Sequence, residues 1–77
     1  MENIQKIIDI VADCLEYETS EGLTAETKLN DLEGFDSLAT LSISAAIKIK
    51  YGVNLSGLDI IECNNLQELY ELIQEEL

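Results

Sequence analysis

A chain of 77 residues has room for one domain, spanning residues 1 to 77, and for one modest core, but not for a catalytic cleft between two domains. Its net charge of -12 comes with 47% hydrophobic residues, so it reads as a folded acidic protein and not as a disordered acidic tail. Four lysines and no arginine leave little to neutralise phosphates, and no apolar run approaches the roughly 20 residues of a membrane span; these features exclude a nucleic-acid ligand and a spanning segment.

The first residues, MENIQKIIDI, are not a basic leader followed by an apolar stretch, so a cytoplasmic protein is expected. Ile4, Ile7, Ile8, Val11, Ala12 and Leu15 follow the i, i+3, i+4, i+7, i+8, i+11 spacing of one helical stripe, which predicts a helix over about 3–17. The segment YETSEGLTAETKLNDLEGF mixes turn residues and charges with isolated Leu23, Leu29, Leu32 and Phe35. It reads as a long ordered loop pinned by those four anchors.

A second helix is predicted over 37–51, with Gly52 just past its end and Lys48 and Lys50 in its last turn, where cations suit the dipole. Leu38, Leu41, Ala45 and Ile49 lie near one face, widened by Ile43, Ala46 and Ile47, and this side is expected to be core, with Leu41 among the residues whose truncation costs most stability. Ser56 stands three residues before Asp59 as a variant capping box for a short helix over 57–62. Asn65 and Glu68 repeat the spacing before a last helix over 66–76, striped by Leu66, Leu69, Tyr70, Ile73 and Leu77. Tyr51, Val53 and Leu55 are expected in the core. The predicted fold is all-α, a small four-helix bundle with a long loop between helices one and two and a short third helix.

Little intrinsic chemistry is available. The chain contains no histidine, so a serine beside an aspartate lacks the usual base, and no G-x-S-x-G elbow surrounds Ser37. The acidic pairs Asp31/Glu33 and Glu75/Glu76 lack calcium-loop spacing and read as solvated surface. Cys14 and Cys63 are too few for a disulfide framework or a metal cluster and are expected to be free thiols. What remains is the start of helix two, where Asp36 or Ser37 caps the helix and unpaired N–H groups favour an anion.

The tripeptide Asp36-Ser37-Leu38 gains meaning from its surroundings. It follows L-x-x-L-x-x-F at Leu29, Leu32 and Phe35, and leads through FDSLATL into a helix ending KYGVNL, with a short and a last helix beyond. Over essentially its whole length the chain resembles the acyl carrier protein family, the phosphopantetheine-binding carriers. That resemblance implies a carrier and not an enzyme: Ser37 is the attachment point of a 4′-phosphopantetheine arm, transferred from coenzyme A by a phosphopantetheinyl transferase. The arm ends in a thiol that bears an acyl or aminoacyl group as a thioester. It also implies that Asp36 serves transferase recognition and positioning, that Leu38 packs and contacts partners, and that acyl or aminoacyl ligases, synthases or transferases are the partners of a monomeric protein. Some core residues would also line a cleft for the bound chain.

Helix two departs from the pattern of primary fatty-acid carriers, which place carboxylates just after the motif leucine, three residues later, and near the far end of the helix. Here those positions are Ala39, Ser42, Lys48 and Lys50. A carrier of a specialised pathway (polyketide-type, aminoacyl or cell-envelope acyl transfer) is therefore favoured. The competing reading is an unmodified acidic helical module that binds a basic partner, with Ser37 as a plain cap.

Overall fold

Sequence periodicity and caps are realised as four helices in the structure, a computed structural model that describes residues 4–77. These are α1 (Gln5–Cys14), α2 (Ser37–Tyr51), α3 (Gly57–Ile61) and α4 (Leu66–Glu76). The expected all-α bundle with a long first loop and a short third helix is the fold observed. The expected start of the first helix at residue 3 lies outside the described residues.

On α1, Ile7, Ile8, Val11 and Ala12 are buried, while Ile4 and Leu15 are half-buried at the stripe's ends. The helix stops at Cys14 and not near 17, because Glu16 turns into the left-handed region at φ 63 and the Tyr17 N–H reaches back to the Ala12 carbonyl at 2.9 Å. Ile10, outside the predicted stripe, is buried as well.

The loop behaves as an anchored strap. Leu29 is fully buried in a 3₁₀ turn over Leu29–Asp31, and Leu23, Leu32 and Phe35 pack half-buried against the core. A feature with no apolar signature in the sequence fastens it further. Lys28 and Asn65 form an antiparallel bridge, and the N–H groups of Leu66 and Gln67 donate to the carbonyls of Thr27 and Ala25 at 3.1 and 2.9 Å. Two N–H groups at the start of α4, where no intrahelical acceptor exists, are thus satisfied by the loop. The Tyr17 hydroxyl donates to the Glu33 carbonyl at 2.7 Å, tying the end of α1 to the residues just before α2.

The core side of α2 is not the one the sequence favours. Leu38, Leu41 and Ile49 are 73%, 61% and 81% exposed, and Ala45 is exposed with them. The buried residues are Ala39, Thr40, Ile43 and Ile47. Both sides of this helix are apolar, so periodicity gives two candidate stripes; packing against α1 and α3 selects the one containing Ile43 and Ile47.

The remaining elements fit the local signals. Gly52 ends α2 at φ 72, a left-handed conformation that costs glycine nothing. Both halves of the Ser56–Asp59 capping box form, at 3.1 and 3.0 Å. Asn65 caps α4 through the Glu68 N–H at 2.8 Å, but the Glu68 carboxylate turns to the N–H of Asn64 instead of closing the reciprocal bond. On α4, Leu66, Leu69 and Ile73 are fully buried and Tyr70 is half-buried. Leu77, placed in that stripe by spacing, is 61% exposed because it lies past the last turn. Val53 and Leu55 are buried as expected, and Tyr51 is half-buried. Cys14 and Cys63 are free thiols.

Candidate functional site

The site is the first turn of α2. Asp36 is its N-cap, in extended conformation, and its carboxylate accepts the Ala39 N–H at 2.9 Å. Asp36 therefore does the capping, and Ser37 is left at the first helical position with its side chain exposed. Leu38 follows, exposed, and Ala39 turns inward and is buried. The structure thus brings Asp36, Ser37 and Leu38 together at one helix end, in three distinct roles: cap, outward hydroxyl and exposed apolar side chain.

Thr40, not singled out by the sequence, braces this turn from below. It is the one buried polar residue among those described, and its hydroxyl donates to the Ser37 carbonyl at 2.7 Å. A Cβ placed on Gly57 would lie 3.2 Å from Thr40 Oγ1, so the absence of a side chain lets the start of α3 approach the site closely. One and two turns further along the same edge of α2, the Ser44 hydroxyl donates to the Leu55 carbonyl, and Lys48 Nζ donates to Asn54 Oδ1 at 2.6 Å. Ser44 and Lys48 thus hold Leu55 and Asn54 along α2, and Thr40, four residues before Ser44, borders Gly57 on the same edge. A signal was present in the i, i+4, i+8 polar row, but its partners lie across the fold.

The local charge differs from that of the chain as a whole. Between Asp36 and Asp59 there is no carboxylate, and Lys48 and Lys50 are the segment's charges. The carboxylates lie on α1, the loop, α3 and α4. Among them, Asp59, Glu62, Glu68, Glu71 and Glu75 border a recess of about 380 Å³ beside Cys63. Burial first, then Glu68, Asp59 and Glu62, pushes the Cys63 thiol up to about 11. Burial, with Asp13 beside it, likewise raises that of Cys14. Neither thiol is poised as a nucleophile.

An outward serine hydroxyl without a histidine in the chain cannot activate itself, but it is accessible to another enzyme. These features define a class: a small helical protein that presents an exposed serine hydroxyl at a helix start. A model of the phosphopantetheine attachment site family matches residues 5–73, and the chain belongs to that family. It is 35% identical over 74 residues to acyl carrier protein 4, chloroplastic, of Arabidopsis thaliana, an alignment covering 96% of this chain and 53% of that relative. To polyketide-8 synthase acyl carrier protein 2 of Streptomyces avermitilis it is 30% identical over 73 residues, covering 95% and 83%. The chain thus spans about half the length of the plant relative and most of the bacterial one. No solved structure matches the chain. The family is one that holds 4′-phosphopantetheine covalently. Among the described residues no helix is long and apolar enough to cross a membrane.

Proposed function

We propose that Ser37 is the attachment residue and that the protein carries acyl or aminoacyl groups as thioesters for a specialised biosynthetic pathway. The observation that carries this reading is the division of labour at the start of α2. Asp36 satisfies the Ala39 N–H, so Ser37 Oγ is not needed for capping and faces solvent. The residues present fit a covalent phosphodiester: the hydroxyl is exposed, and a first-turn anion lies at the positive end of the helix. The arm supplies a terminal thiol that bears the cargo.

Attachment would form a bond between Ser37 Oγ and the phosphorus of the pantetheine phosphate as the pyrophosphate bond of coenzyme A breaks, with adenosine 3′,5′-bisphosphate leaving and the hydroxyl proton passing to a base of the transferase. Asp36, held by its cap bond, fixes the backbone that presents Ser37 and gives the transferase a carboxylate to recognise. Leu38, 73% exposed, offers apolar contact beside the reacting hydroxyl. Phosphopantetheinyl transferase and biosynthetic acyl or aminoacyl enzymes are then the partners. Tethering serves function by raising the local concentration of cargo at each partner's site. The pathway assignment rests on Ser42, Lys48 and Lys50, exposed where a fatty-acid carrier has carboxylates; Ala39, the fourth such position, is buried and presents nothing to a partner. A single domain over residues 1–77, a monomer and a cytoplasmic location belong to the same reading.

Coexpression with a broad-specificity phosphopantetheinyl transferase, followed by intact-mass measurement, tests it. One arm per chain is expected, and none in Ser37→Ala. An arm that persists in that variant, or a wild-type chain that never acquires one, overturns the assignment.

A further inference from the structure

Ser37 is held from its C-terminal side by the bonds of α2 and by the Thr40 hydroxyl, but the chain leading into it is fixed from elsewhere in the fold. Before the Asp36 cap come Glu33, Gly34 and Phe35. Phe35 packs half-buried against the core, and its N–H donates to the Leu32 carbonyl at 3.2 Å. Gly34, at φ 86 and without a Cβ, is the softest joint of the segment. On the other side of that joint the Glu33 carbonyl accepts the Tyr17 hydroxyl at 2.7 Å, a tie between residues 16 apart in sequence. Leu15 Cδ2 lies 4.0 Å from where a Cβ on Gly34 would stand, so the end of α1 adjoins the exit of the loop at two points. That end is shaped for the reach. The Glu16 and Tyr17 N–H groups donate to the Asp13 and Ala12 carbonyls at 3.0 and 2.9 Å, a helix ending that usually has glycine where Glu16 stands at φ 63. A left-handed conformation at a non-glycine residue persists where surrounding contacts over-determine it. Here the turn carries Tyr17 off the helix towards Glu33. Tyr51 and Tyr70 pack against the core cluster and Tyr17 does not, so what Tyr17 supplies is its hydroxyl.

We propose that Tyr17 is a positioning residue for the modification of Ser37: its hydroxyl, bonded to the Glu33 carbonyl, fixes the residues that lead into α2 so that Asp36 and Ser37 meet the transferase in one geometry. The inference rests on the reading of Ser37 as the attachment residue. Tyr17 acts through Glu33, Gly34 and Asp36 and not on the reacting atoms. Transfer requires Ser37 Oγ in line with the phosphorus and with the departing oxygen of adenosine 3′,5′-bisphosphate, and a small loss of alignment costs rate steeply. Without the tie the segment turns about Gly34 and the aligned arrangement is populated less of the time. That loss falls on the transfer step, since the surfaces that bring carrier and transferase together are unchanged.

Tyr17→Phe removes the hydroxyl and keeps the ring. The full chain, coenzyme A and a broad-specificity phosphopantetheinyl transferase in excess give single-turnover rates by intact mass. The wild type must first take up one arm that Ser37→Ala does not; failure there removes the attachment reading and this inference together. With the arm on Ser37, the limiting rate of Tyr17→Phe should fall about fivefold, while the transferase concentration giving half that rate stays within about twofold. Two further variants separate positioning from stability, and circular dichroism confirms that each is folded. Asn65→Ala deletes the cap bond from the Glu68 N–H on α4 and should lower the urea midpoint with the limiting rate unchanged. Glu16→Gly relieves the left-handed turn and keeps the tie, so it should raise the midpoint, again with the rate unchanged. An unchanged limiting rate in Tyr17→Phe, a change confined to the half-saturating concentration, or a rate that follows the urea midpoint across the three variants would overturn the positioning role and leave the attachment reading standing.

Discussion

Helices α4 and α2 are both rich in apolar residues, but they use them differently. On α4, Leu66, Leu69 and Ile73 face the core while Glu71, Glu75 and Glu76 are exposed, so every apolar residue of the stripe except Leu77 is accounted for by folding. On α2, Ile43 and Ile47 suffice to fill the core, and Leu38, Leu41 and Ile49 are left in water on a helix that has no carboxylate beyond its Asp36 cap. Apolar residues beyond what packing requires are left exposed on the outer face of α2. The difference also gives the two helices opposite sensitivities, which can be measured.

The largest effect is expected where the two helices meet the core. Ile43→Ala on α2 and Leu69→Ala on α4 both empty fully buried sites and should each cost about 2–5 kcal/mol in urea denaturation. Equal sensitivity at these two positions is what the comparison requires of their inner faces. A small loss at Ile43 would mean that this side of α2 does not face the core.

How much of this was legible in the sequence follows from the same contrast. The α4 range, the α2 range, both caps at Ser56 and Asn65 and the left-handed Gly52 could be read because each is a local signal: a period, or a polar side chain three residues from the N–H it accepts. The inner side of α2 could not, since a helix apolar on two faces has no single moment direction and only contact with α1 and α3 breaks the tie. Likewise the bridge of Lys28 to Asn65 and the ties from Ser44 to Leu55 and from Lys48 to Asn54 join residues through the fold, with nothing in either partner to announce the other. At the site, Asp36-Ser37-Leu38 was legible as a motif, while the choice of Asp36 over Ser37 as the cap, and the bracing by Thr40 and Gly57, needed coordinates.

A smaller effect separates the two residues at the start of α2. Asp36→Ala removes the cap on Ala39 and should cost about 0.5–2 kcal/mol, whereas Ser37→Ala removes no helix bond and should leave the urea midpoint nearly unchanged. The pair is informative because their effects on modification run differently: Ser37→Ala abolishes it, and Asp36→Ala slows it. If Ser37→Ala were the more destabilising change, the serine would be the cap and the outward hydroxyl would lose its rationale.

The acidic side of the molecule gives a pH-dependent contrast with α2. Buried among α3 and α4, the Cys63 thiol is pushed up to about 11 from an ordinary 9.0. Below 9.0 the thiol is protonated in both folded and unfolded chains and makes no pH-dependent contribution. Between 9.0 and about 11 the unfolded chain loses the proton that the folded chain keeps, so stability falls as pH rises, and it levels off above that window. Urea midpoints of the wild type and Cys63→Ala from pH 8 to 11 check this: the difference between them should shrink or reverse in favour of the variant as pH rises. Parallel curves across the window would mean that the thiol is no harder to ionise in the fold than outside it.

The smallest effect on stability is expected at the outer face of α2. Ile49 is 81% exposed and Leu41 61%, so replacing either by serine forfeits little buried area, and each change should stay within about 0.5 kcal/mol in urea denaturation. The neighbouring Ile43→Ala, two residues from Leu41, serves as the internal standard in the same helix. A loss approaching that of Ile43 would mean that the exposed stripe is held against another part of the chain in solution and is not open to a partner. A loss near zero, beside the large loss at Ile43, separates the side of the helix that folding holds from the side that it leaves to solvent.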